Sequence, residues 1–148
     1  MIEFKRSSHS LFDAITKQSR PVYWGIQFET LCYKSISRVL DSLEIPSSEL
    51  IDIGPYFRQG TRKVTSVSGV QVDLIIQRQG GVWTMVECKF TQQPIGLSVI
   101  SEMKQKMKAL SLPKKITLEC VLISASGVTQ DVRAQKFFNR ILGLEAVL

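Results

Sequence analysis

The sequence predicts an α/β fold, with one mixed β-sheet flanked by helices in a single domain. Three observations carry this. Apolar residues recur at helical three- and four-residue intervals in some stretches. Between them lie short β-branched runs bounded by Gly and Pro. Their order is helix, strand, hairpin, helix, strand, helix, and a helical link between two strands of one sheet makes those strands parallel. At 148 residues the chain suits one ordinary domain with a sizeable core.

Residues 1–23 read as an N-terminal leader or linker, with basic points at Lys5, Arg6, Lys17 and Arg20 and a short apolar stripe of Leu11, Phe12 and Ile15 closed by Pro21. The domain proper is expected over residues 24–148. From Trp24 to about Leu43 the apolar positions Phe28, Leu31, Cys32, Ile36, Val39, Leu40 and Leu43 predict an amphipathic helix. Leu50 to Phe57 is extended and broken by Gly54 and Pro55, and Arg58 to Gly69 reads as loop.

Val70–Arg78, with Val70, Val72, Leu74 and Ile76 expected on one face, and Val82–Phe90 form a hairpin around Gln79-Gly80-Gly81. Leu97–Leu112 is a second helix and Ile116–Ser124 a strand. Thr129–Ile141 reads as a third helix with Thr129 at its N-cap, and Leu144–Leu148 as a closing strand. Trp24 and Trp83 read as packing residues.

Composition removes many function classes. The chain is 44% hydrophobic and 22% charged, which excludes a disordered tail, and no apolar run reaches the roughly 18 residues of a membrane span. The polar N-terminus lacks the apolar centre of a secretory signal, so a cytoplasmic protein is expected. Cys32, Cys88 and Cys120 are odd in number and far apart in apolar surroundings, as reduced core residues would be. The lone histidine, His9, rules out imidazole triads and HExxH zinc sites, and no phosphate-binding glycine loop occurs. Any hydrolysis must rest on carboxylates, lysines and a metal. The net charge of +6 favours a polyanionic partner.

Strand alternation places Trp83, Met85, Glu87 and Lys89 on one face. If Gln79-Gly80-Gly81 is a three-residue loop closed by Arg78 and Val82, Asp73 falls opposite Glu87; a two-residue Gly80-Gly81 turn sets Asp73 opposite Cys88 instead. In the first register two carboxylates oppose each other at about 5 Å between Cβ atoms, which disfavours folding unless a cation compensates. A divalent ion between them, with Lys89 meeting a phosphate, would be a complete hydrolytic site. In the second, Glu87 and Lys89 are ordinary charges at the sheet rim.

At these residues the sequence resembles the PD-(D/E)XK nuclease superfamily of restriction-endonuclease-like fold. Val72-Asp73-Leu74-Ile75-Ile76 and Val86-Glu87-Cys88-Lys89-Phe90 carry the resemblance, joined by Glu29 in Gly25-Ile26-Gln27-Phe28-Glu29. The string Gly69 to Arg78 is similar to the C-terminal nuclease-like domains of prokaryotic and archaeal AAA-type ATPases. Val72 stands where the family name has proline. The next helix has Gln105 but lacks the tyrosine of the exonuclease branch, so the resemblance implies an endonuclease rather than an exonuclease.

It implies Mg²⁺- or Mn²⁺-dependent hydrolysis of DNA. Asp73, Glu87, the Cys88 carbonyl and Glu29 would be metal ligands, Glu29 acting through water or a second ion, and Lys89 the residue that orients or activates water. It also implies an AAA-type ATPase as a partner, in the same or another chain, and admits a homodimer. Arg58, Arg62, Lys63, Lys104 and Lys108 are the expected contacts to the DNA backbone. The alternative is a non-catalytic DNA-binding or ATPase-docking module on the same fold.

Overall fold

A computed structural model describes residues 7–60 and 69–148, with side chains from Arg20 onward in the first helix. Five strands, β1 (Leu50–Arg58), β2 (Val70–Arg78), β3 (Val82–Lys89), β4 (Thr117–Ser124) and β5 (Arg140–Leu142), form one sheet in sequential order. The pairs β1–β2 and β2–β3 are antiparallel, while β3–β4 and β4–β5 are parallel. Helix α3 (Ser98–Leu110) links the parallel β3 and β4 as the periodicity of its apolar residues requires. This is the mixed sheet flanked by helices that the restriction-endonuclease-like resemblance implies.

Alternating side chains give the sheet two apolar faces, each covered by helix. On one, Val72, Ile75, Met85, Cys120 and Leu122 pack against Val99, Ile100, Met103 and Leu110 of α3 and Val132 of α4 (Gln130–Ala134). On the other, Leu74, Ile76, Val86, Cys88, Val121 and Ile123 pack against Phe28 and Cys32 of α1 (Ser7–Lys34) and Val39 of α2 (Ile36–Ser42). Trp83 packs at the border of the first core, as expected. Trp24 is half exposed and stacks on Phe90 at 6.1 Å between ring centroids.

The helices differ from expectation where backbone chemistry intervenes. Pro21 lies inside α1 rather than closing a leader. The periodic stretch to Leu43 is two helices interrupted at Ser35, whose hydroxyl donates to the Val147 carbonyl at 2.7 Å and ties the helix junction to the C-terminus. The third helix is only five residues long, because Lys136 adopts a left-handed conformation (φ 49°) just beyond it. Thr129 precedes that helix without a side-chain cap bond. The closing strand is therefore Arg140–Leu142, and Leu144–Ala146 is a 3₁₀ turn.

The hairpin register is the three-residue-loop alternative: Arg78 pairs with Val82 and Leu74 with Val86. Gly80 and Gly81 hold φ values of 78° and 74° that only glycine adopts readily. On its other side β2 carries a bulge. Gly54 pairs with Ile75 and Tyr56 with Val72, so Asp73 and Leu74 together face Pro55 alone. Pro55 has no N–H to give the ladder, which is where a ladder yields. The bulge also corrects the expected face. Val70 and Val72 point to the α3 side, whereas Leu74 and Ile76 point to the α1 side.

Candidate active site

The bulge frees Asp73 from regular pairing. The β2–β3 pairing ends at Leu74 and Val86, and two residues further along β3 the Cys88 N–H donates to Asp73 Oδ2 at 2.8 Å. A carboxylate thus takes a bond that a strand carbonyl would otherwise accept, and it is fixed beside the end of β3. Glu87 follows Met85 on the α3 face of the same strand. Asp73, Glu87 and Glu29 of α1 all line one cleft of about 780 Å³, together with Arg58, Lys106 and Lys108.

Glu87 is buried, the only charged residue in that class among the described residues. A carboxylate there needs partners, since an uncompensated buried ion costs several kcal/mol. Two lysines provide them: Lys106 Nζ lies 2.5 Å from Glu87 Oε2, and Lys89 Nζ lies 3.5 Å from Oε1. Lys89 is itself held by Glu102 Oε2 at 2.6 Å. The result is an alternating chain of charge, Lys106, Glu87, Lys89, Glu102, that starts and ends on α3 and passes through β3.

The carboxyls nevertheless hold their protons more tightly than carboxyls in water. Burial is the main cause for each. Asp73 also feels Glu29, against the Cys88 N–H, and Glu87 also feels Asp73, against the Lys106 bond. Glu29 is raised by burial and then by Glu87. For Lys89, burial pulls the affinity down, but the Glu102 bond and the Glu87 charge outweigh it and leave the ammonium more firmly protonated than usual. Three acids that repel one another therefore share a single cleft, with one secured ammonium paired to the buried acid among them.

The remaining expected residues divide. The Cys88 thiol lies in the opposite core against Cys32, which with burial pushes it far above the usual thiol range, so only its backbone faces the Asp73 side. Arg58 lines the cleft and donates from Nη2 to the Ala109 carbonyl in the last turn of α3. Lys108 lines the cleft too, whereas Lys104 lies over the Phe137 ring, 5.7 Å from its centroid. Arg62 and Lys63 lie outside the described residues.

The sequence reading passed over Lys106 and Glu102. Their signal was the four-residue spacing on α3, which puts an acid and a base on one helical face beside the buried Met103. Among the described residues, no group of three or more His, Cys, Asp or Glu is gathered closely enough to hold a metal ion. Glu87 is instead bound to two lysines and Asp73 to a backbone amide.

No protein-family model matches the chain, and no curated protein does. It is similar to several solved structures. The protein of unknown function AF1548 is 16% identical at a TM-score of 0.43, over 77% of this chain and 58% of the other. The structure of an EndoMS complex with double-stranded DNA is 16% identical at 0.41, over 77% and 44%. A repair endonuclease from Pyrococcus abyssi is 12% identical at 0.42, over 74% and 45%. This chain spans about half the length of these structures.

Proposed function

We propose that residues 24–148 form a metal-dependent nuclease that hydrolyses DNA phosphodiester bonds, an endonuclease rather than an exonuclease. The observation that carries this reading is the buried Glu87, which shares a cleft with Asp73 and Glu29 and pairs with Lys89, at a cost in desolvation and repulsion that no packing role requires. The donors fit Mg²⁺ or Mn²⁺. Asp73 and Glu87 offer hard carboxylate oxygens, the Cys88 carbonyl could add a third, and Glu29, which lines the same cleft, would act through water; a small hard cation commonly takes one or two carboxylates and completes its shell with water and phosphate oxygens. When bound, the ion would supply Lewis-acid polarisation of the phosphoryl group and neutralise developing charge.

The chain's own residues do the rest. Glu102 fixes the Lys89 ammonium at the end of β3, where it orients the attacking water and stabilises charge on the scissile phosphate. Arg58 and Lys108, which line the cleft, would track neighbouring phosphates, as would Arg62, Lys63 and Lys104. An AAA-type ATPase partner, a homodimer and a cytoplasmic location belong to the same proposal; among the described residues no helix is long and apolar enough to cross a membrane.

The test is incubation with supercoiled plasmid and end-labelled branched DNA in Mg²⁺, Mn²⁺ or EDTA. Internal cuts that require the ion and disappear in Asp73→Asn are expected. One observation favours the second reading, a non-catalytic DNA-binding or ATPase-docking module: Glu87, the buried acid of the cleft, is already paired with two lysines. DNA binding that is indifferent to EDTA, with no cutting in either metal, would select it.

A further inference from the structure

Lys106 is the cleft residue that hydrolysis by Asp73, Glu87 and Lys89 leaves without a task. Its ammonium lies 2.5 Å from Glu87 Oε2, against 3.5 Å for the contact of Lys89 with the other oxygen of the same carboxylate. Glu87 is buried while Lys106 is partly open to the cleft, so the mobile member of the pair is the lysine. Its position on α3, one turn beyond Glu102 and flanked in the cleft by Gln105 and Lys108, lets a long flexible side chain swing along the basic wall without moving the helix. A carboxylate oxygen bound by an ammonium cannot also be an inner ligand of a divalent ion without competition.

We propose that Lys106 is an internal counter-cation of Glu87 which a divalent metal displaces, and that the displaced ammonium then binds the DNA backbone. Metal loading and DNA binding are thereby coupled through one side chain. In the metal-free protein Lys106 neutralises Glu87 and the cleft presents one fewer cation to DNA. With the ion on Asp73 and Glu87, the same charge is delivered to a phosphate. This rests on the nuclease reading and adds to it the order in which the cleft assembles. No bond to hydrogen changes; the step is an exchange of ion pairs.

The experiment measures metal binding first without DNA. Mn²⁺ alone is titrated calorimetrically into the full chain, into Lys106→Met and Lys106→Arg, and into Lys114→Met, an exposed lysine outside the cleft that matches the charge change. Thermal melts establish that each variant is folded. Lys106→Met is expected to bind Mn²⁺ about ten-fold more tightly than the unchanged chain, because a competing cation in a partly buried site is gone. Lys106→Arg keeps the weaker affinity, and so does Lys114→Met. Duplex binding is then followed over a salt series in Ca²⁺ and in EDTA. The unchanged chain should gain about one unit of salt slope with the ion, and Lys106→Met should not. Equal or weaker Mn²⁺ affinity in Lys106→Met overturns the exchange while leaving the nuclease reading intact. Absence of Mn²⁺ binding in both proteins overturns the metal site and the exchange together.

Discussion

Asp73 shows how one residue can be fixed by its neighbours and strained by its charge. Its Oδ2 accepts the Cys88 N–H, yet burial and Glu29 favour its neutral form. Asparagine keeps the acceptor and loses the charge. Asp73→Asn should therefore fold, abolish ion-dependent cutting, and be as stable as the unchanged chain or more so without metal. The pH dependence follows in sign. A carboxyl whose folded affinity for protons is raised binds more protons in the native state, so the stability this provides is complete below about pH 4 and is lost as pH rises through the raised folded value. Melting curves in EDTA should thus show Asp73→Asn gaining on the unchanged chain as pH climbs from about 4 towards neutrality; a gap that narrows would contradict the burial argument. Glu87→Ala should follow the same sign at pH 7. Burial and Asp73 raise Glu87 as well, and Lys106 can turn to the open cleft, so stability in urea unfolding without metal should hold or rise.

Among the elements, the β2–β3 hairpin carries the site, and its turn sets the register. A Cβ on Gly81 would come within 3.1 Å of the Lys115 carbonyl oxygen, whereas one on Gly80 would meet nothing within 4 Å. Both residues have positive φ, so Gly80→Ala should cost about 1 kcal/mol and Gly81→Ala about 2 kcal/mol, since only the latter must also push the chain before β4 away. Equal losses in denaturant titrations would mean that the turn is not held by β4. This hairpin was legible in sequence because alternation and a glycine turn are local signals. The bulge was not, because it depends on Pro55 lying across from Asp73, and strand partners are not local information. The same limit hid Lys106. Its four-residue spacing from Glu102 was visible, but not that α3 would lay it against Glu87. The short α4 failed for a backbone reason, the left-handed Lys136, which an apolar pattern continuing to Ile141 does not announce.

At the scale of the whole molecule, the acids line the cleft beside Arg58, Lys106 and Lys108, and the chain carries a net charge of +6. In the proposed function the total charge would draw in a polyanion while its hydrolysis would depend on few groups, so the two contributions should separate on mutation. Replacing Arg62 and Lys63 together by alanine should weaken binding about equally for every duplex sequence and flatten the salt slope by up to ~2 units, since backbone contacts release counterions without reading bases. Lys89→Ala should do the reverse. Its ammonium is tied to Glu102 and Glu87 at the end of β3, and in the proposed reaction it would act as charge develops on the scissile phosphate. Cutting should slow on the order of 10²-fold while affinity changes little. Both quantities are best measured on one labelled duplex and one branched substrate over the same salt series. Wild-type cutting speed in Lys89→Ala would remove the nuclease reading at its centre, and an unchanged salt slope in the Arg62 and Lys63 double variant would move the DNA track to the Arg58 and Lys108 wall of the cleft.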